Sequence, residues 1–105
     1  MSAHEIPVPT LVIYRAKAGK EAQLLELVKS HWPTLKNLGL AAPTPAKIWR
    51  AQGKRDGKVA FIEMFEWKDE VSSDVAHQTP EVMALWEPMG AVVDGLEICH
   101  VEPVA

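Results

Sequence analysis

Residues 58–67, KVAFIEMFEW, decide the fold. Aromatic and β-branched types dominate, which favours a strand, and strand alternation puts Phe61, Glu63, Phe65 and Trp67 on one face and Ala60, Ile62 and Met64 on the other. Both faces are largely apolar, whereas an antiparallel sheet normally leaves one face wet, so something must cover each side. Parity alone does not say which face meets the helices. Upstream, Asp56-Gly57 is a turn signal that pairs this strand in a hairpin with a strand over residues 46–52. Residues 10–16, TLVIYRA, read as another strand. Ala18-Gly19 breaks that pattern, and residues 20–38 read as a helix. At ~100° per residue, Leu24, Val28, His31, Leu35 and Leu38 fall within a stripe about 80° wide. Pro33 is expected to kink or split it, and Asn37-Leu38-Gly39 to stop it. Downstream, Asp69 caps a short helix reaching His77. Thr79-Pro80 then starts a second helix, with Val82, Leu85, Trp86, Met89 and Val93 as its buried stripe. Asp94-Gly95 ends it, and residues 96–101 form the last strand.

The order strand, helix, strand, strand, helix, strand predicts a ferredoxin-like α+β fold. Its sheet is four-stranded and antiparallel, with two helices on one face. The second apolar face then calls for a partner, most simply a second copy, giving a homodimer joined through the sheet. At 105 residues, with 48% apolar and 24% charged, the chain reads as one domain over residues 1–105 and not as a disordered segment. No apolar run approaches the ~18–20 residues of a membrane span. The opening MSAHEIPVPT lacks the basic start and apolar stretch of a signal peptide, so a cytoplasmic location is expected. Cys99 is the only cysteine, which excludes an internal disulfide and any multi-cysteine metal site. Eleven Lys and Arg against 14 Asp and Glu leave a formal charge of −3. The densest basic stretch, Lys54-Arg55 with Lys58 nearby, reads as a solvated hairpin tip, so neither nucleic acid nor membrane is an expected partner.

The element order, with FIEMFEWKD followed by AHQTPEVMALWE, resembles the dimeric α+β barrel superfamily, in its antibiotic-biosynthesis-monooxygenase-like branch. Trp67, Asp69, Ala76, His77, Thr79 and Pro80 match that branch's strand ending in Trp, acidic cap and Ala-His…Thr-Pro step. Lys17 and Gly19 match its first turn. The likeness covers almost the whole chain and implies a sheet-to-sheet dimer. Where members often carry Glu two residues before the Trp, this chain has Phe65, with Glu63 two further back. Haem-degrading relatives use an Asn on the first strand, a Trp near position 77 and a His about ten residues later. This chain has no such Asn, and has His77 and Glu87 at the other two positions, so the resemblance does not imply haem degradation. Superfolds host many activities, and it implies no single one.

Glu63, His31 and His77 are the candidate catalytic residues. A carboxylate between Ile62 and Met64, flanked on its own face by Phe61 and Phe65, becomes a useful base if burial is not offset. It reads equally as a structural partner of Arg15, Arg50 or a histidine. Glu63→Leu is expected to leave the fold intact or stabilise it while abolishing any activity or ligand response, since an apolar replacement removes the cost of a lone buried carboxylate. His31 lies near the centre of the first helix's apolar stripe. It is either a satisfied core histidine or a group that orients or deprotonates a phenol, and with Glu63 it is expected to border one cavity between helix and sheet. His77 is either a helix-terminal residue or, by the resemblance, part of the pocket. Trp32, Phe65, Trp67 and Trp86 are the candidate ligand-binding residues, with Trp32 at the cavity edge. Trp49, Trp67 and Trp86 fall on core-facing patterns. The four histidines, His4, His31, His77 and His100, form no i, i+4 pair, and no metal is expected. His31, His77 and Glu63 would make the one conceivable two-His, one-carboxylate set. His4 and His100 have no motif around them, and Cys99 has no activating neighbour.

Two function classes follow. The first is a cofactor-independent monooxygenase or related small enzyme acting on an aromatic or quinol-like molecule, with Glu63 or a histidine as base and no cofactor. The second is a non-catalytic dimeric module that binds a small hydrophobic ligand or responds to stress. An intact carboxylate–histidine pair at a cavity favours the first, and a cavity filled by Trp32, Trp67 and Trp86 favours the second.

Overall fold

The computed structural model describes residues 6–105, so His4 lies outside the described residues. The elements run β1 (Val8–Ala16), α1 (Glu21–Asn37), β2 (Lys47–Gln52), β3 (Val59–Trp67), α2 (Ser72–Ala76), α3 (Pro80–Val92) and β4 (Val93–His100). The sheet is antiparallel in the order β2-β3-β1-β4, which leaves β2 and β4 as edges. This is the expected ferredoxin-like α+β architecture. The helix side of the sheet is now defined. Thr10, Val12 and Tyr14 of β1 and Phe61, Glu63, Phe65 and Trp67 of β3 are buried there, beneath Leu24, Val28, His31 and Leu35 of α1 and Val82, Met89 and Val92 of α3. Each fully buried apolar side chain of that set contributes about 1.5–3 kcal/mol.

At the hairpin, Gly57 takes φ +68° and the Asp56 carboxylate accepts the Lys58 N–H at 2.9 Å. There glycine avoids the left-handed penalty, as a turn of this kind requires. Before α2, the Asp69 carboxylate accepts the N–H groups of Val71 and Ser72 and the Ser72 hydroxyl, at 3.1, 2.9 and 2.7 Å. The Ser72 hydroxyl, foremost, holds the Asp69 carboxyl below its ordinary range. The helix itself is shorter than expected and starts at Ser72.

Four other expectations are corrected. Pro33 does not split α1, which runs unbroken to Asn37, and Leu38 lies at its end and is exposed. α3 does not end at a turn over Asp94-Gly95. The Lys17 N–H bonds the Val92 carbonyl at 2.9 Å and Val93 pairs with Ala16, so the chain passes straight from helix into β4, as two successive β-branched residues permit. Thr79 is at the start of α3, but its hydroxyl donates backward to the Val75 carbonyl and leaves the helix uncapped by a side chain. Trp49 is not in the core. It faces Ile62 on the side away from the helices and is 47% exposed.

That opposite face carries Leu11, Ile13, Ile62 and Met64, all half-buried, alongside Trp49, and no helix covers it. Among the described residues no helix is long and apolar enough to cross a membrane.

Candidate functional site

Strand parity brings Tyr14 and Glu63 to the same face of adjacent strands, and the phase of α1 lowers His31 onto them. Glu63 is fully buried. The Tyr14 hydroxyl donates to its Oε1 at 2.6 Å, and His31 Nδ1 lies 2.9 and 3.1 Å from its two oxygens. From α3, Trp86 Nε1 donates to His31 Nε2 at 2.9 Å. An indole N–H can only donate, so Nε2 carries no proton and the imidazole hydrogen sits on Nδ1, directed at Glu63. The network therefore runs Trp86 to His31 to Glu63, with Tyr14 as the second donor to the carboxylate. It leaves the ring neutral and Glu63 ionised. Among the described residues no buried side-chain nitrogen or oxygen lacks a partner. Burial first, then the Glu63 charge and the hydrogen bond to it, raise the Tyr14 phenol well above the ordinary tyrosine range, so it remains a donor.

The arginines offered as partners for Glu63 are engaged elsewhere. Arg15 pairs with Glu97 at 2.7 Å and Arg50 bonds Gln52.

Above the network lies a cavity of about 240 Å³ between the sheet and the helices. Tyr14, His31, Phe65, Trp67 and Met89 line its inner part, and Ser73, His77, Trp86 and Gly90 its helical wall. Leu96, Ile98 and His100 of β4 line it from the edge strand, where the first two are 51% and 63% exposed because the helices do not reach so far. The imidazole of His31 meets the Phe65 ring edge-on at 5.3 Å, and Phe65 meets Trp67 at 5.1 Å.

Of the residues singled out from the sequence, His31, His77, Phe65, Trp67 and Trp86 line this cavity. Two do not. Glu63 lies on the helix side and against His31, but Tyr14 and His31 stand over it, so it does not border the cavity as expected. Trp32, about 100° around the helix from cavity-lining His31, points its indole N–H at the Ala42 carbonyl (3.3 Å) and lies outside the lining. His77 sits at the end of α2, where its Nδ1 donates to the Ser73 carbonyl at 2.8 Å, and its ring packs against Trp86 at 4.8 Å. It does not join His31 and Glu63. Among the described residues no three His, Cys, Asp or Glu side chains are grouped to hold a metal ion.

Tyr14 is the residue that sequence reasoning missed. The signal was present in TLVIYRA: Tyr14 shares parity with Thr10 and Val12, and a phenol buried mid-strand needs a polar partner.

No protein-family model matches the sequence, and no curated protein does. Solved structures do. The chain is similar to PA3566 from Pseudomonas aeruginosa, with TM-score 0.70 and 14% identity over 97% of this chain and 99% of that one. It is similar to an antibiotic biosynthesis monooxygenase, with TM-score 0.69 and 15% identity over 93% and 99%. A third likeness is to a mutant of SnoaB, a cofactor-independent oxygenase from Streptomyces nogalater, with TM-score 0.71 and 9% identity over 94% of each chain. At these identities the likeness is one of fold. The chain shares its fold with these structures, an antibiotic biosynthesis monooxygenase among them, and the fold is the one the resemblance implied.

Proposed function

We propose that this protein, built on the fold it has in common with an antibiotic biosynthesis monooxygenase and with SnoaB, is a small oxygenase that oxidises a phenolic or quinol-like aromatic molecule without a cofactor. The observation that carries this is the neutral His31, backed by a buried Glu63 and ending at an apolar cavity. At about 240 Å³ that cavity is somewhat smaller than the usual ligand site, of a size for one or two fused rings.

In this reading His31 Nε2 takes the substrate's hydroxyl proton. Glu63 stabilises the imidazolium that forms, and Tyr14 holds Glu63 in line by its hydrogen bond. The ring of the quinolate becomes electron-rich at carbon and reduces dioxygen. A carbon–oxygen bond forms, the oxygen–oxygen bond breaks, and a quinol plus O₂ becomes a hydroxyquinone plus water. Phe65, Trp67 and Met89 keep the carbanion from bulk water. His77, its Nδ1 already committed to Ser73, has its other nitrogen left for the far end of the ligand. The bare apolar face opposite the helices supports the homodimer.

The test is oxygen uptake with a dihydroxynaphthalene. The protein should accelerate uptake above the spontaneous rate, and His31→Ala should lower that acceleration by about 100-fold or more, the usual share of a general base. The second reading, a module that binds the ligand without turning it over, draws on one observation: Trp86 already occupies the His31 lone pair. Tight binding of the naphthalene with only the spontaneous rate of uptake would favour it.

A further inference from the structure

We infer that Trp86 is a displaceable stand-in for the ligand's hydroxyl, and that the cavity selects hydrogen-bond donors and rejects acceptor-only aromatics. The inference deepens the proposed function and rests on its reading of the cavity as an aromatic site, but it requires binding only, not turnover.

The two ends of the His31 ring are held very differently. Nδ1 faces Glu63, which is fully buried and also tied to Tyr14. Nε2 faces Trp86, which is half-buried in the helical wall, its ring resting on the exposed His77. The inner end is fixed and the outer end can be exchanged. Glu63 from β3, Tyr14 from β1 and, beyond the indole, His77 from α2 are the titratable groups around the ring. With an anion below it, the imidazole keeps its hydrogen on Nδ1, so whatever replaces the indole at Nε2 meets a lone pair. A phenol or N–H group restores the bond that Trp86 gave up. A ketone, quinone or ether oxygen sets lone pair against lone pair and leaves the site's acceptor unpaired. Oxidation that turns the hydroxyl at this position into a carbonyl would convert a ligand the site accepts into one it repels. The return of the indole N–H to Nε2 then assists release.

Nitrogen-15 NMR of the histidine rings and binding of β-naphthol and its methyl ether test this without any activity assay. In the wild type, His31 should give the neutral Nδ1–H pattern, and β-naphthol should bind about tenfold or more tighter than the ether, one lost hydrogen bond at a desolvated site. β-Naphthol should also break the indole's hydrogen bond to Nε2, moving the Trp86 N–H resonance. Trp86→Phe, which keeps an aromatic ring and removes only the donor, leaves no indole to displace, so β-naphthol should bind about threefold or more tighter to the variant than to the wild type while the preference over the ether is kept. An Nε2–H or imidazolium pattern in the wild type overturns the inference, as does equal affinity for the two probes. Both measurements stand if the variant fails to fold. An affinity for β-naphthol that is unchanged in folded Trp86→Phe overturns the role of Trp86. Absent oxygen uptake with a retained naphthol preference would remove the oxygenase reading and leave this one in place.

Discussion

The two faces of one sheet, separated by a single residue step along β3, are organised on opposite principles. On the helix side, Phe61, Phe65 and Trp67 surround a buried carboxylate whose every polar neighbour is a donor aimed at it or at its imidazole. On the other side, Ile62 and Met64 lie half-buried beside Leu11, Ile13 and the exposed Trp49, and an ion pair between Arg15 and Glu97 is at the open end of the strands. One face is covered and polar at its centre. The other is bare and apolar at its centre. Because side chains alternate with period two, a chain can give one face to chemistry and the other to assembly with little conflict between them. Substitutions at neighbouring positions should therefore fail in different ways.

The largest effect is expected at Glu63. An isolated buried carboxylate would be dispensable, and the expectation from the sequence is that Glu63→Leu is neutral or stabilising. The structure reverses that expectation, because leucine leaves the Tyr14 hydroxyl and the His31 Nδ1–H without acceptors. Breaking such a pair from one side costs about 3–5 kcal/mol. Glu63→Gln keeps an acceptor oxygen and should cost clearly less. Urea unfolding of both variants checks this, and equal stability of Glu63→Leu and wild type would mean that the network contributes nothing to the fold. The association state of Glu63→Leu should be unchanged as long as it is folded.

Next comes the bare face. If it joins two copies, Ile62→Asp buries an uncompensated charge in the interface and should weaken association by about 3 kcal/mol, roughly two orders of magnitude in Kd. Sedimentation equilibrium should then show the variant at 11.6 kDa and the wild type at twice that mass. A wild type that sediments as a monomer at micromolar concentration would remove the dimer. The His31 nitrogen-15 pattern should be the same in the variant as in the wild type, since the substituted side chain points away from it.

How far these two faces could be read beforehand depended on the range of the signal. Alternation in KVAFIEMFEW and the helical phase of His31 are local, and both were legible: Glu63 shares a face with Phe61 and Phe65, and His31 is buried with Leu24, Val28 and Leu35. The choice of which face the helices cover is a tertiary fact, and neither parity nor composition contains it. Tyr14 went unnoticed because its partner is 49 residues away and meets it only once β1 and β3 pair. Trp49 and Trp32 misled for a related reason. Aromatic character signals burial somewhere, but Trp49 lies on the uncovered face, and the Trp32 indole is drawn to the Ala42 carbonyl. The helix-to-strand passage at Val92-Val93 was hidden because Asp94-Gly95 is an ordinary stop signal that sheet pairing overrides.

The smallest effect separates the faces by pH. Tyr14 is the only tyrosine in the chain, and burial beside ionised Glu63 raises its proton affinity in the folded state. In the unfolded chain it ionises near pH 10, whereas in the folded protein it does not. Above that pH the native state therefore binds one more proton than the unfolded state, so the stability Tyr14 contributes is fully present below pH ~10 and declines above it, by about 1.4 kcal/mol per pH unit. Thermal melts of wild type and Tyr14→Phe across the alkaline range should diverge in slope by that amount, while the variant is less stable at neutral pH for want of one donor to Glu63. The phenolate absorbance band should rise only with unfolding. A band that titrates at pH ~10 in the folded protein would mean that Tyr14 is not held under the carboxylate. Because Tyr14 points away from the bare face, Tyr14→Phe should associate as the wild type does at every pH in this range, and a loss of association confined to the variant would tie together two faces that the structure keeps apart.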